Sequence, residues 1–350
     1  MKVVQYGVGK MSKYIMKYVF EKGWEIVGAF DRDENKFGKD ISTIIESKQN
    51  YGIIIQSSAL FEEFLYEYKP DIVIVTTMSL FCDVYDCLNI CAKCGINAIT
   101  TSEECFYPQN SNPTLFEKID KLAKQNNCTI TGSGYQDVYW GNIIACIAGS
   151  THNINRIVGK SSYNVEDYGI ALARAHGAGL SAAEFEQQIA SIDNISHQER
   201  QQLINSGNFL PSYMWNVNGW IANKLNLEIL SQTQQCIPII ATNDIYSKTL
   251  NLSIKKGDVT GMSAVVTSVT KQGITIVAEC IGKVYEQNEF DFNKWTIEGE
   301  PTTSIDINNP QTVELTCATI VNRLPDVLTS PAGYIPTSEM LIPKYRQNTK

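Results

Sequence analysis

The sequence has no long apolar run and no excess of positive charge. None of its apolar stretches reaches the roughly 18 residues that a membrane-spanning helix requires, and the first predicted strand begins at Lys2, so no signal peptide is expected. The net charge of −8 argues against nucleic acid or an anionic membrane as a partner. We therefore expect a cytoplasmic protein whose ten cysteines are reduced thiols.

Histidine is also scarce, with three residues in 350. Cys91 and Cys94 have the spacing of half a zinc site, but the sequence offers no well-spaced partner pair. Together with Cys87 they follow the i, i+4, i+7 spacing of one helix face, which predicts small apolar residues in a core. No metal site is predicted.

The first 31 residues contain the pattern of a dinucleotide-binding unit. An apolar strand precedes "GVGKMS" (7–12), a helix with one apolar face follows it, and a second strand over 25–30 ends at Asp31. Asp31 lies about 20 residues beyond the glycines. In dinucleotide-binding units an acid at this distance accepts hydrogen bonds from the ribose hydroxyls. The alternative is a tight turn in a non-binding α/β domain.

Two adjacent residues leave the choice of cofactor open. Asp31 favours NAD because its charge repels a 2′-phosphate, whereas Arg32 is able to bind one. We expect NAD or NADP, with dual use reasonable. The candidate cofactor-binding residues are Gly7, Val8, Gly9, Lys10, Met11, Ser12, Asp31, Arg32, Thr76, Thr77, Met78 and Ser102.

Strands and helices continue to alternate as far as residue 142. Strands are predicted at 71–77, 96–101 and 128–134, and helices follow the first two. This alternation predicts an α/β fold with an N-terminal, doubly wound parallel sheet of the Rossmann type, spanning residues 1–142. Ligands of such sheets bind beyond the carboxyl ends of the strands.

The pattern then changes to that of a second, α+β domain over residues 143–309. Residues 181–227 are predicted to be helical, and several long alternating runs, from "RIVGKSSYNV" (156–165) to "TTSIDI" (302–307), predict an open mixed, largely antiparallel sheet. Residues 310–350 are predicted to form a helix that ends near Pro325 and a tail packing back on the Rossmann domain.

Two adjacent carboxylates follow a predicted strand in "TTSEECFYP" (100–108). Neighbours in an extended segment point to opposite sides, so one of Glu103 and Glu104 is expected to face the nicotinamide. Burial of that group would raise its pKa toward neutrality and suit it to proton transfer. The alternative is a solvated pair in a loop.

Aromatic residues follow in "GSGYQDVYWGN" (132–142) and "SSYNVEDYGIALARAHGAG" (161–179). The candidate substrate-pocket residues in these two stretches are Tyr135, Tyr139, Trp140, Tyr163, Tyr168 and His176. Core packing and a structural histidine are the alternatives. A substrate carboxylate would need a basic partner, for which Arg174 and Lys160 are the candidates.

Several motifs in order resemble those of the two-domain NAD(P)-dependent amine dehydrogenases, which are related to 2,4-diaminopentanoate dehydrogenase and more distantly to dihydrodipicolinate reductase. They are "QYGVGKM", "TTSEECFYP", "GSGYQDVYWGN", "SSYNVEDYG", "GMSAVV", "IGKVY", "WTIEGEPTT" and "TCATIVNRLPDV". The resemblance implies a homodimeric enzyme that catalyses reversible oxidative deamination of a small primary amine, releasing ammonia. It also implies a catalytic glutamate, with Glu103 the better match and Glu104 the reserve.

Three functions stay open at this point. The first is an amine dehydrogenase acting on CH–NH₂, with 2,4-diaminopentanoate as one possible substrate. The second is a dihydrodipicolinate-reductase-like enzyme that reduces a cyclic imine, or a reductase of a hydroxy compound, although no adjacent histidine pair is present. The third is a non-catalytic regulator that binds a nucleotide.

Overall fold

The structure, a computed structural model, describes residues 1–348. The chain forms two compact units. The first contains residues 1–142, 204–210 and the chain from 311 onward, and the second contains residues 143–203 and 211–310. Residues 204–210, which group with the first unit, fall inside the region predicted as the second domain.

A parallel sheet with helices forms the first part of the chain. Its strands are β1 (Lys2–Tyr6), β2 (Glu25–Asp31), β3 (Ile55–Ser57), β4 (Ile72–Val75), β5 (Asn97–Thr100) and β6 (Thr129–Gly132). The intervening helices are α1 (Lys10–Glu21), α2 (Ser42–Ile45), α3 (Phe61–Tyr68), α4 (Phe81–Cys94) and α5 (Pro113–Gln125), and the short α6 (Tyr135–Asp137) follows β6.

The strand order β3-β2-β1-β4-β5-β6 is that of a Rossmann fold, which confirms the predicted class. All neighbouring strands are parallel, and β4 is buried along its whole length because helices cover both faces. The order reverses between β1 and β4. The carboxyl ends of these two strands, at Gly7 and Thr76, therefore mark the edge where ligands of such sheets bind.

The second unit contains a mixed sheet, as predicted. Its strands and those of a separate two-stranded ribbon are β7 (Asn153–Asn164), β8 (Ile229–Ile240), β9 (Ile245–Ser247), β10 (Leu252–Ile254), β11 (Val259–Thr270), β12 (Thr275–Lys283), β13 (Phe292–Glu300) and β14 (Thr303–Asn308). The order is β14-β13-β7-β12-β11-β8, and the β7–β12 pair alone is parallel in this described sheet. Strands β9 and β10 form the ribbon.

Helices accompany this sheet over 181–227, where the sequence predicts them, and also at two places where it does not, α7 (Ile143–Ala148) and α8 (Ile170–Ala175). The predicted ones are α9 (Ala182–Phe185), α10 (Ser191–Asp193), α11 (His197–Ser206) and α12 (Tyr213–Lys224). Helix α12 packs against β8, β11 and β12 and is buried from Met214 to Ala222. Burial on all sides, which includes Asn216 and Asn218, is typical of a central helix.

The chain then returns to the first unit through α13 (Thr312–Thr329) and β15 (Gly333–Tyr334), which pairs with β6. The prediction that the helix ends near Pro325 is wrong, because α13 continues for one more turn. Leu324 and Val327 are buried on either side of the proline, and the Thr329 hydroxyl donates to the Pro325 carbonyl at 3.1 Å. Packing of this face outweighs the hydrogen bond that proline removes.

A buried ion pair joins α13 to α6. Arg323 donates to both oxygens of Asp137, at 2.7 and 3.0 Å, and both side chains are fully buried. Removing the cation leaves an uncompensated buried carboxylate. We expect Arg323→Met to lower the free energy of unfolding by about 3–5 kcal/mol in urea titrations.

Arg346→Met is the matched control for this substitution. Arg346 pairs with Asp326 of α13, the helix that carries Arg323, but this pair is partly exposed. Exposed ion pairs contribute about 0–1 kcal/mol to the free energy of unfolding. Equal losses in the two variants would contradict the assignment of Arg323 and Asp137 as a buried pair that organises this unit.

Candidate functional site

The glycine turn joins the end of β1 to the start of α1. Gly7 has a φ of +86°, and a Cβ built there would lie 2.7 Å from the Thr76 carbonyl oxygen and from Thr77 Cγ2. Only glycine fits, because both the backbone conformation and the close approach to the end of β4 exclude a side chain. This glycine shapes the turn itself.

Gly9 is different, and it provides the test of whether a dinucleotide fits. Its φ of −112° suits any residue, and a Cβ built there has no atom within 4 Å. Neither backbone conformation nor packing requires glycine here, and the absence of a side chain leaves the backbone open to the close approach of a ligand. Helix α1 begins at the next residue with no side-chain cap and no acid in its first turn, so its N–H groups suit a pyrophosphate.

The other predicted turn residues surround this space. Val8 is buried, so only its backbone is able to reach a ligand, whereas Lys10 is exposed and Met11 partly exposed. Ser12 is fully buried and donates its hydroxyl to the Gly9 carbonyl at 2.7 Å. This hydrogen bond holds Gly9 in place at the start of the helix.

Asp31 accepts hydrogen bonds from three donors, one of which belongs to the glycine turn. Its carboxylate accepts hydrogen bonds from the N–H groups of Val8 and Asp33, at 2.7 and 2.9 Å, and from the Lys36 ammonium at 2.9 Å. Burial raises the pKa of Asp31, but these hydrogen bonds outweigh it and hold the pKa below its usual value. The carboxylate is therefore ionised and partly neutralised by Lys36, a residue that the sequence analysis missed.

The end of β4 contacts the glycine turn directly. The Thr76 hydroxyl donates to the Gly7 carbonyl at 2.8 Å and accepts from the Gln5 amide at 2.8 Å. Ser102, at the end of β5, donates its hydroxyl to the Ser79 carbonyl at 2.7 Å. Met78 is 53% exposed, which leaves its side chain accessible to a ligand at this edge.

The adjacent glutamates have different environments. The expectation of an extended segment is wrong, since Glu103 has helical backbone angles and starts a short 3₁₀ turn over Glu104–Phe106. Glu104 is 6% exposed, and its carboxylate accepts hydrogen bonds from the Phe81 N–H and the Ser111 hydroxyl, both at 2.6 Å. The Glu104 carboxylate therefore connects the start of α4, at Phe81, to the loop that contains Ser111.

Glu103 has a hydrogen bond with the Ser79 hydroxyl and is partly exposed as a residue. Burial of its carboxylate raises its pKa above the usual value, and the Ser79 hydrogen bond opposes this only in part. Burial also raises the pKa of Glu104, against the hydrogen bonds from Ser111 and Phe81. Both carboxyls thus have a raised pKa, which suits proton transfer near neutrality, and Glu103 is the more exposed of the two residues.

The three predicted pocket residues of the first unit contact one another. Tyr135 stacks on Tyr139 with ring centroids 4.5 Å apart, and Trp140 meets Tyr135 edge-on at 5.6 Å. Residues Val138–Asn142 form a π-helical turn, a feature often found at functional sites, and no sequence pattern predicts it.

Tyr163, Tyr168 and His176 come together in the second unit. Tyr163 meets the Tyr168 ring edge-on at 5.6 Å, and its hydroxyl lies 2.7 Å from His176 Nε2. Burial lowers the pKa of His176 below its usual value, so the imidazole is neutral near pH 7.

The two candidate cations for a substrate carboxylate differ in their surroundings. Lys160 pairs with Glu279 at 3.1 Å, whereas Arg174 is exposed in α8.

In residues 1–348 no three His, Cys, Asp or Glu side chains are grouped to hold a metal ion. Cys87 and Cys91 are buried in the core beside β4. No helix within the described chain is both long and apolar enough to cross a membrane.

Comparison with known proteins relates the whole chain to amine-oxidising enzymes. The structure of an amine dehydrogenase from Mycobacterium smegmatis is 34% identical, with a TM-score of 0.86, covering 99% of this chain and 97% of that one. The 2,4-diaminopentanoate dehydrogenase of Acetoanaerobium sticklandii is 25% identical over 190 residues, or 54% of this chain. The match spans 53% of that relative's length.

A more distant structure shares the fold alone. A biliverdin reductase from Synechocystis sp. PCC 6803, solved with biliverdin and NADP+, is 10% identical with a TM-score of 0.53, covering 96% of this chain and 94% of that one.

The family of the 2,4-diaminopentanoate dehydrogenase C-terminal domain matches residues 140–349. Since that match covers more than half of the chain, the chain belongs to this family.

Proposed function

We propose that the protein is an NAD(P)-dependent amine dehydrogenase. It interconverts a small primary amine with the corresponding ketone or aldehyde and ammonia. The observation that carries the proposal is the difference between the two glutamates: Glu104 is buried and accepts hydrogen bonds from Phe81 and Ser111, whereas Glu103 is the more exposed residue and has the Ser79 hydroxyl as its partner. The family membership and the amine dehydrogenase relative support it further.

Glu103 is the proton-transfer residue in this proposal. In the oxidative direction it takes a proton from the ammonium form of the substrate and releases it to solvent, and it then takes a proton from the water that adds to the iminium carbon and returns it to the departing nitrogen. In the reductive direction it deprotonates ammonium before attack on the carbonyl. A carboxylate also stabilises the positive charge of the iminium, which a neutral or cationic residue would not.

The dinucleotide is held by the glycine turn, the start of α1 and the residues around Asp31. A bound nicotinamide supplies the hydride acceptor or donor for the reaction. The open space above Gly9 and the uncapped helix start support this placement. Dual use of NAD and NADP is proposed, because Asp31 is ionised but neutralised in part by Lys36, with Arg32 exposed beside it.

Two of the groups that could meet a substrate carboxylate do not suit that role, which leaves Arg174. Lys160 is paired with Glu279, and His176 is neutral. The aromatic rings bound an alkyl group and discriminate weakly, by about 1–3 kcal/mol per methylene. We therefore propose a simple amine in preference to 2,4-diaminopentanoate.

A cytoplasmic homodimer is also proposed because of the resemblance to the amine dehydrogenases. Light scattering of the purified protein tests whether it is a dimer.

The experiment is a turnover panel with the purified full chain. NADH or NADPH consumption is followed with ammonia and small ketones or aldehydes, and in parallel with cyclic imines and keto acids. Turnover of simple carbonyl compounds that depends on ammonia supports the proposal. Turnover of cyclic imines alone, or tight cofactor binding with no turnover of any compound, rejects it.

Cofactor preference gives a prediction for Lys36. Without its ammonium, the Asp31 charge is left to repel a 2′-phosphate. We expect Lys36→Met to weaken NADPH binding by about tenfold relative to NADH, the size of one charge-assisted hydrogen bond. Arg32→Ala should change the preference in the same direction. Cofactor fluorescence measures both affinities.

Lys39→Met is the control, because it removes an exposed lysine three residues further along the chain. It should leave the ratio of the two affinities unchanged. If Lys36→Met weakens NADH and NADPH equally, Lys36 stabilises the turn and does not set the cofactor preference.

A further inference from the structure

Ser79 lies in the segment that joins β4 to α4, just beyond Thr76 at the edge where ligands of such sheets bind. Two groups from the loop after β5 fix its backbone. The Ser79 carbonyl oxygen accepts hydrogen bonds from the Glu104 N–H at 3.1 Å and from the Ser102 hydroxyl at 2.7 Å. Ser102 is fully buried, which shields its contact from water. The loops after β4 and β5 therefore hold Ser79 and the glutamate pair together.

From this position the Ser79 hydroxyl contacts the side chain of Glu103. An ionised carboxylate only accepts hydrogen bonds, so the hydroxyl is the donor. The N–H of Glu103 itself is a second donor to the same carboxylate. Burial raises the pKa of Glu103, and these two contacts lower it, the one from Ser79 more strongly.

Five titratable groups of the described chain lie on the Glu103 turn or interact with it, and none of the five stabilises its negative charge. Three of them are thiol or phenol groups whose pKa values are raised by burial, so they are uncharged near pH 7; they belong to Cys82, Cys105 and Tyr334. The other two, Glu104 and Asp83, are acids. Stabilisation of an ionised Glu103 therefore depends on hydrogen bonds.

We propose that Ser79 is the positioning residue for the general base of the reaction, and that its hydroxyl holds the Glu103 carboxylate in place and in its ionised form. This inference rests on the proposed function, in which Glu103 accepts protons. A carboxylate has about four acceptor positions on its two oxygens, so one hydroxyl leaves room for an ammonium or a water molecule. At Glu104, by contrast, each oxygen accepts a hydrogen bond at 2.6 Å.

Ser79→Ala tests this role through the pH profile. A general base works when it is deprotonated, so kcat/KM rises with pH through the pKa of Glu103. Without the hydroxyl that pKa is higher. The acidic limb should therefore move to higher pH by about one unit, the size of a hydrogen bond to a charged group. A merely structural role lowers the rate at every pH and leaves the midpoint of the limb in place, and that result overturns the inference.

Two further substitutions at Ser79 give a graded series. Ser79→Thr retains the hydroxyl and should retain the wild-type midpoint. Ser79→Cys supplies a weak donor and should give a midpoint between those of the wild type and Ser79→Ala. A folded Ser79→Thr protein whose midpoint is shifted as far as that of Ser79→Cys or Ser79→Ala contradicts the role of the hydroxyl. The comparison of threonine with cysteine decides the question if the alanine variant does not fold.

Ser111→Ala is the matched control, because it removes a hydroxyl from the neighbouring carboxylate of Glu104. It should leave the midpoint of the acidic limb unchanged, and a shift equal to that of Ser79→Ala overturns the inference. The double variant Ser79→Ala/Glu103→Gln should be no slower than Glu103→Gln alone, because Ser79 acts through the carboxylate. A loss from Ser79→Ala that is equal in both backgrounds rejects this coupling.

Carbon NMR of protein with labelled glutamate carboxyl groups follows the titration of Glu103 without turnover. Comparison with Glu103→Gln assigns its signal. The midpoint should be higher in Ser79→Ala than in the wild-type protein, and equal midpoints reject the inference alone, whatever the turnover. Absence of amine turnover by the wild-type protein, together with the expected shift in the titration, rejects the proposed function and with it the catalytic part of the inference.

Discussion

Glu103→Gln should keep the fold and the affinity for cofactor but lose most of the amine turnover. Glutamine preserves the shape of the side chain and its contact with the Ser79 hydroxyl, while it removes both the charge and the basicity. Loss of a general acid–base group typically lowers the rate by about 10²–10⁴-fold, or about 3–5 kcal/mol at 1.36 kcal/mol per decade. Steady-state kinetics with ammonia and a small ketone measure the loss, and cofactor fluorescence checks binding.

Glu104→Gln is the matched control, because it makes the same chemical change at the next residue. Its amide retains an acceptor for the Phe81 N–H and a donor for the Ser111 oxygen, so we expect less than about a threefold change in turnover. Collapse of turnover in Glu104→Gln with near-normal turnover in Glu103→Gln would reassign the base. Near-normal rates in both variants would eliminate the carboxylate mechanism.

The acidic limb of the pH profile provides an independent check. A general base works only when it is deprotonated, and burial raises the pKa of Glu103. In the wild-type protein kcat/KM should therefore rise with pH through a pKa above the ordinary value of glutamate. The residual activity of Glu103→Gln should lack this limb.

The alternation of strands and helices was sufficient to predict the parallel sheet, in which β4 is a continuous β-branched run. The region between residues 32 and 70 was not assigned. There α2 and β3 have only four and three residues and leave little periodicity, and the eight-residue α3 was missed as well. Strand β13 was missed for another reason. Its alternate residues, Asn293, Trp295 and Ile297, are buried, and the polar amide in this set breaks the apolar pattern.

The candidate site was predicted in part. The glycines, Asp31 and the two glutamates were identified by type and spacing, but the sequence does not reveal that Glu104 is held by Phe81 and Ser111. These partners lie 23 residues before and 7 residues after it. Lys36 lies within "DRDENK", which has the pattern of a solvated charged loop, so its pairing with Asp31 depends on the tertiary turn.

Gly9→Val should abolish tight cofactor binding without unfolding the protein. The position has an ordinary backbone conformation, and its Cβ direction leads into space free of described atoms, so valine is tolerated by the fold. A branched side chain there occupies the space assigned to the pyrophosphate. We expect the Kd for NADH and NADPH to increase by roughly 10²-fold or more, comparable to the upper end of overpacking costs of about 1–3 kcal/mol.

Gly7→Ala separates the two roles of glycine in this turn. At Gly7 a methyl group meets the Thr76 carbonyl at 2.7 Å in a left-handed backbone conformation, so this variant should lose stability in addition to affinity. Thermal melts without cofactor, combined with fluorescence titrations, compare the two variants. The expected pattern is an unchanged Tm with lost affinity for Gly9→Val and a lowered Tm for Gly7→Ala. Normal cofactor affinity in a folded Gly9→Val protein would show that the pyrophosphate does not lie above Gly9, because a valine side chain and a phosphate cannot occupy the same space.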